Sequence, residues 1–105
     1  MKKIKNRHIT IATVYNKKGH VLAKTTNSWT KTHPYQAQLA KEVGLDDKQY
    51  LHAEVRALLK ARGKQVYKIK IERYGANGEP LNACPCPICA KAIKEHNIKV
   101  IEYTL

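Results

Sequence analysis

Two short segments of the chain carry side chains whose types and spacing suit metal-assisted proton chemistry. The first is the run HAE at residues 52–54, and the second is the run PCPIC at residues 85–89. Together they supply one imidazole, two thiols and one carboxylate. Such a set can hold a zinc ion on three protein ligands, leave a fourth position open for water, and move a proton beside it.

The two cysteines of the second segment are placed to act together. Cys86 and Cys89 are three positions apart at the start of a predicted helix, so both thiols can point the same way. The N-terminus of a helix carries partial positive charge, which favours the thiolate form that binds a metal.

The first segment satisfies the same site only under one condition. In a regular helix the side chains of His52 and Glu54 would point roughly 200° apart, because the helical period is 3.6 residues. They can serve one site only if His52 lies in the irregular first turn. The leucine pattern that follows permits a helix that begins near residue 50 or 51.

Other interpretations of these residues remain open at this point. Cys84 can join His52, Cys86 and Cys89 in a closed structural zinc site with four protein ligands. A redox pair of cysteines is a further interpretation, although the context typical of thioredoxin is missing. The open catalytic site is favoured, because both segments fall at predicted helix starts in the order that the chemistry requires.

The elements that must position these side chains alternate between strands and helices. The patterns predict strands over 8–15, 20–26, 66–73 and 98–103, and helices over 35–43, 51–62 and 87–96. Strands separated by helices require crossover connections, which favours an α/β fold with a partly parallel sheet. In the third strand, Lys68 and Lys70 alternate with apolar residues, so one face of that strand is expected to meet polar material.

Length and charge set limits on the class of protein. The 105 residues are expected to form a single domain over 1–105. Hydrophobic residues make up 43% of the chain, which argues against disorder. No apolar run approaches the ~20 residues that a membrane span requires. The net charge of +12 predicts affinity for anions such as nucleotides, nucleic acids or acidic surfaces.

Cysteine usage indicates the compartment. The three cysteines lie within residues 84–89, and an odd count leaves one thiol over. A reducing environment and a metal site suit this arrangement better than a secreted scaffold held by disulfides. We therefore expect a cytoplasmic protein.

The combination H-x-E followed by P-C-x-x-C resembles that of the cytidine and deoxycytidylate deaminase superfamily, in its shortest bacterial or phage-like form. The resemblance implies a three-layer α/β/α sandwich around a mixed sheet, here a minimal one of about four strands. It also implies zinc as cofactor, with His52, Cys86 and Cys89 as ligands and Glu54 as the general acid and base.

The same resemblance assigns residues to the substrate. Asn27, directly after the second strand, is expected to touch the sugar. The backbone of Ala53 and the carbonyl of Cys84 are expected to contact the edge of the base. Trp29 lies in the loop after Asn27 and could stack on the base or equally cap the core. Relatives often complete their sites from a neighbouring subunit, so we expect a homo-oligomer.

Three hypotheses of function follow. The leading one is hydrolytic deamination of a small-molecule substrate, a cytosine nucleoside or nucleotide (cytidine, deoxycytidine or dCMP), with release of ammonia. The second keeps this chemistry but acts on single-stranded DNA or RNA, motivated by the charge and by the aromatic residues Trp29 and Tyr35. The third is a non-catalytic, zinc-stabilised binding module, which requires Cys84 on the metal.

Overall fold

The computed structural model describes residues 9–27, 33–44, 52–75 and 77–104. Its strands are β1 (Ile9–Tyr15), β2 (Val21–Thr26), β3 (Lys68–Tyr74), β4 (Pro80–Leu81) and β5 (Val100–Tyr103). Its helices are α1 (Pro34–Glu42), α2 (Ala53–Lys60) and α3 (Pro87–Glu95). Every element predicted from the pattern is present within two residues of its expected bounds. The sheet has five strands rather than about four, because β4 is a two-residue strand that is too short to produce a periodic pattern.

The sheet is mixed, as the order of elements predicts. The first three strands run in the order β2-β1-β3, and both neighbouring pairs are antiparallel. The far edge of β3 takes two partners, since residues 68–71 pair with β5 in parallel and residues 73–74 pair with β4. The parallel pairing follows from the crossover through α3, which returns the chain to β5 in the direction of β3.

One face of the sheet carries the core. Ala12 and Val14 of β1 lie opposite Ile71 and Ile69 of β3, and all four are fully buried. Helix α2 packs against β1 and β2, and α3 packs against both α1 and α2. The buried apolar residues of the three helices belong to the same core cluster as those of the strands. All three helices therefore lie on this face of the sheet.

The opposite face is polar, as the lysines of the third strand indicated. Thr13 pairs with Lys24 on one side and Lys70 on the other, and both lysines are exposed. Within the described ranges, the helices form one layer on the sheet, which is one of the two helical layers expected of a three-layer sandwich. The α/β class and the mixed sheet are confirmed. None of the described helices is long and apolar enough to cross a bilayer.

Candidate metal centre

Two of the predicted ligands lie immediately before the first residue of a helix. His52 is the N-cap residue of α2 with φ −76° and ψ 154°, and Cys86 is the N-cap residue of α3 with φ −70° and ψ 168°. Neither side chain accepts a capping hydrogen bond from its own helix. Pro87 suits the first turn of α3, where its missing N–H costs nothing. The extended backbone turns both side chains away from their helices and toward each other.

The three ligand atoms meet at one point. Nδ1 of His52 lies 3.3 Å from Sγ of Cys89 and 3.5 Å from Sγ of Cys86. All three ligand atoms lie within 4.8 Å of one another. Tetrahedral zinc with ordinary Zn–N and Zn–S bonds would hold nitrogen and sulfur about 3.5 Å apart. Both the donor types and their spacing therefore fit a zinc ion.

Cys84 does not belong to this group. In the described part of the chain, the only group of side chains arranged to hold a metal is His52, Cys86 and Cys89. The side chain of Cys84 is exposed, and its backbone N–H donates to Oδ1 of Asn82 at 2.8 Å. The closed four-ligand site therefore lacks its fourth ligand in this structure.

The two clustered thiols differ in acidity. A hydrogen bond from Cys89, helped by His52, outweighs burial and lowers the pKa of Cys86 to about 4. The same hydrogen bond, together with burial, raises the pKa of Cys89. The hydrogen bond between the two thiols therefore favours the thiolate form of Cys86. This is the ligand form that zinc requires.

Glu54 lies beside these ligands and is buried. Its carboxyl group is 6% exposed and interacts with Cys89. Burial raises its pKa, and this effect exceeds the opposing hydrogen bonds from its own backbone and from Cys89. Glu54 is helical whereas His52 is extended, so the irregular first turn that the sequence required is confirmed. A carboxyl group with a raised pKa is suited to accept and return a proton near neutral pH.

Comparison with known families agrees with this geometry. Residues 1–105 match the family model for the cytidine and deoxycytidylate deaminase zinc-binding region. The chain belongs to this deaminase family. Zinc is accordingly its cofactor, with His52, Cys86 and Cys89 close together as the site that can hold it. The fold agrees with that of the family, whose members are generally hydrolytic deaminases of nucleoside or nucleotide substrates. No curated protein matches closely enough to add the name of a relative.

A glutamine of α1 supports the HAE segment (residues 52–54) of the deaminase site. Gln36 is fully buried, and its Oε1 accepts a hydrogen bond from the backbone N–H of His52 at 3.3 Å. The sequence reasoning missed this residue. A signal was present, since Gln36 precedes Leu39, Ala40 and Val43 at the spacing of one helical face. A polar residue on an inward face needs a partner.

A threonine of β2 supports the same HAE segment from the sheet. Oγ1 of Thr25 donates to the carbonyl of Ala53 at 2.7 Å, and the contact is buried. Ala53 itself is fully buried at the first position of α2. The contact fixes the start of α2, and with it the HAE segment, to β2, which is an edge strand of the described sheet.

The segment that leads into the cysteines is held by the end of the last strand. Oγ1 of Thr104 donates to the carbonyl of Leu81 at 2.6 Å, and the carbonyl of Thr104 accepts from the N–H of Ala83 at 2.8 Å. The backbone N–H of Arg73 in turn donates to Oγ1 of Thr104 at 3.2 Å. Thr104 therefore joins β3 to the residues that precede Cys84.

Of the remaining predicted residues, the structure describes Asn27 and Tyr35. Oδ1 of Asn27 accepts from the backbone N–H of Thr10 at 3.0 Å, so its amide nitrogen is the group suited to donate to a ligand. Trp29 lies outside the described residues. Tyr35 serves α1–α3 packing: its hydroxyl donates to Glu95 at 2.8 Å and its ring meets His96 edge-on.

Proposed function

We propose that this protein is a zinc-dependent hydrolytic deaminase of a free cytosine nucleoside or nucleotide. The observation that carries the proposal is the buried carboxyl group of Glu54 beside a group of three ligands. Structural zinc sites use four protein ligands, whereas catalytic sites use three and keep one position for water or substrate. A buried carboxylate next to such a site has a cost in stability that a purely structural role does not explain.

The proposed chemistry assigns proton transfer to one residue. A zinc ion held by His52, Cys86 and Cys89 would supply the Lewis acidity that makes water a nucleophile near neutral pH. Glu54 takes up one proton of the attacking water and delivers it to N3 as C4 of the ring is attacked. It then takes the second proton from the hydroxyl group formed on C4 and delivers it to the amino group, which leaves as ammonia while the C4 carbonyl forms. Because burial raises the pKa of Glu54, its carboxyl group can hold the proton between these steps.

The same proposal gives the neighbouring groups their roles in binding. The N–H of Ala53 belongs to the first turn of α2, where it has no partner within the helix and can donate to the base. The carbonyl of Cys84 accepts from the amino group of the base, and the amide nitrogen of Asn27 donates to the sugar. For Trp29, stacking on the base remains the hypothesis drawn from the sequence.

The first experiment measures ammonia released from cytidine, deoxycytidine and dCMP. Glu54→Gln should lose about a hundredfold to ten-thousandfold in kcat, because proton transfer by a positioned side chain typically contributes 10²–10⁴-fold. Its zinc content should equal that of the wild type, since Glu54 is not among the ligands. Glu102→Gln is the matched control, because Glu102 is exposed on β5 and forms a surface ion pair with Lys68. Equal rates for wild type and Glu54→Gln would refute the role of Glu54.

The second experiment identifies the base. Purified protein is incubated with cytosine, adenine and guanine nucleosides and nucleotides, and the products are analysed by mass spectrometry. Replacement of an amino group by oxygen adds about one mass unit to any of them. We expect this change for cytosine substrates, and a change confined to adenine or guanine would reassign the substrate.

Single-stranded nucleic acid is the second candidate substrate, and the net charge of +12 favours it. Phosphate contacts make polynucleotide binding fall steeply with salt. Deamination of a cytosine oligonucleotide that decreases strongly between about 50 and 200 mM salt would support this candidate. No detectable oligonucleotide binding at the lower salt concentration would count against it. Tyr35 is engaged with α3, which leaves Trp29 as the aromatic residue to test by Trp29→Ala.

A further inference from the structure

Helix α1 contains none of the three ligands, but it contacts both helices that provide them. Oε1 of Gln36 accepts from the backbone N–H of His52 at 3.3 Å. The hydroxyl of Tyr35, the preceding residue, donates to Glu95 of α3 at 2.8 Å. Neighbouring residues of α1 therefore reach the start of α2 and the last turn of α3. An ion pair also joins α1 to α3, with Nζ of Lys91 3.4 Å from Glu42.

The burial of Gln36 is not explained by packing alone. Its side chain is fully buried in the core, next to the apolar residues Leu39 and Ala40 of the same helix. A buried amide is unfavourable unless it is hydrogen-bonded, whereas an apolar side chain of equal length would fill the space without that cost. The hydrogen bond from the N–H of His52 satisfies Oε1 of this buried amide.

The acceptor acts on the part of His52 that sets the direction of its ring. The N–H of an N-cap residue has no partner within its helix. When Gln36 accepts from this N–H, it fixes the peptide plane that enters His52. The extended backbone at His52 then directs Nδ1 to 3.3 and 3.5 Å from the two sulfurs.

We propose that Gln36 is a positioning residue that orients His52 toward Cys86 and Cys89. We further propose that α1 holds the two ligand segments of the zinc site together, since it contacts both His52 and α3. The inference rests on the zinc site and not on the deamination reaction of the proposed function. A wild-type protein that binds zinc and deaminates nothing would defeat the proposed function and leave this inference standing.

The test measures zinc affinity in competition with a chromophoric chelator, for the full-length chain. Gln36→Met removes the acceptor while keeping the volume, and it should weaken zinc binding about tenfold, the lower end of what such supporting contacts contribute. The cobalt-substituted variant should show an altered visible spectrum, because the ligand geometry changes. Gln36→Glu retains an acceptor oxygen in either protonation state, and it should bind zinc more tightly than Gln36→Met.

The matched control is Gln38→Met, since Gln38 is an exposed glutamine of the same helix whose side chain donates to Glu42 at 3.0 Å. Its zinc affinity and cobalt spectrum should equal those of the wild type. Wild-type affinity and spectrum in Gln36→Met would overturn the proposal. So would equal weakening in Gln36→Met and Gln36→Glu, because the acceptor would then not be the cause. Gln36→Met leaves the N–H of His52 without this acceptor, so we expect its free energy of unfolding to be lower than that of the wild type. Gln36→Glu keeps the acceptor oxygen, and if Gln36→Met does not fold, wild-type zinc affinity in Gln36→Glu supports the proposal and weakened affinity there overturns it.

Discussion

Nδ1 of His52 lies 3.3 Å from the sulfur of Cys89, although 37 positions separate the two residues in the chain. Each residue belongs to the first turn of its own helix, and the packing of α2 against α3 brings the two turns together. The site is therefore assembled by tertiary packing from two locally specified halves. The contact between α2 and α3 thus determines how the two halves of the ligand set meet.

The ligand set can be tested by serine substitution of each cysteine. Cys86→Ser and Cys89→Ser should each abolish retention of zinc after dialysis against a weak chelator, because each removes one of three ligands. Cys84→Ser should retain one zinc ion per chain, since Cys84 is exposed and outside the ligand group. Zinc per chain is measured by atomic emission. Loss of zinc from Cys84→Ser would indicate that Cys84 is a fourth ligand, as in the closed structural site.

The burial of Glu54 predicts a pH dependence of stability in the metal-free protein. Burial raises the folded-state pKa of Glu54 above the unfolded value of about 4.3. The folded state therefore binds this proton more tightly, so the stabilising contribution is full below about pH 4 and is lost as pH rises through the folded pKa. As pH rises over this range, the free energy of unfolding should decrease less for Glu54→Gln than for the wild type. At neutral pH the variant should therefore be the more stable of the two.

Urea denaturation of both metal-free proteins at a series of pH values measures this difference. The curve of unfolding free energy for the wild type should diverge downward from that of Glu54→Gln as pH rises. Parallel curves would mean that the carboxyl group of Glu54 is not desolvated in the folded protein.

The contact from Thr25 to Ala53 predicts a specific cost in stability. Thr25→Val keeps the shape of the side chain but leaves the buried carbonyl of Ala53 without this donor. We expect a loss of about 1–3 kcal/mol in the free energy of unfolding. Thr26→Val is the control, because Thr26 is its exposed neighbour on the same strand, and it should change stability by less than about 0.5 kcal/mol. Similar losses in both variants, measured by urea denaturation, would contradict the role of the buried contact.

The side chain of Asn27 offers a way to separate structure from binding. Asn27→Asp keeps an oxygen for the N–H of Thr10 but replaces the amide nitrogen proposed to meet the sugar. We expect KM for cytidine to rise about threefold to tenfold, the equivalent of one lost hydrogen bond. The urea midpoint should remain near that of the wild type. A lowered midpoint with an unchanged KM would assign Asn27 to the fold and not to the substrate.

The sequence was most informative where the relevant geometry is local. The i, i+3 spacing of the two ligand cysteines and the position of Pro87 specify the start of α3 within a single turn. The angle between His52 and Glu54 likewise required an irregular first turn, because a regular helix would separate them. These features depend on a few neighbouring residues, so they could be predicted without knowledge of the packing.

The features that were missed depend on contacts between distant segments. Gln36 reaches His52 across 16 positions, and Thr104 reaches Leu81 across 23. Neither pairing leaves a periodic pattern in the sequence. The two-residue strand β4 exists only because it pairs with the end of β3. The placement of all described helices on one face of the sheet is equally a property of packing, which the alternation of Lys68 and Lys70 indicated only as an uncovered strand face.

The bonds of Thr104 give the last described residue an influence on zinc loading. Its hydroxyl and carbonyl hold the backbone of Leu81 and Ala83, which lie five and three residues before the ligand Cys86. A substitution that removes the hydroxyl of Thr104 would thus act, from a residue well away from the metal, on the segment that carries a sulfur ligand.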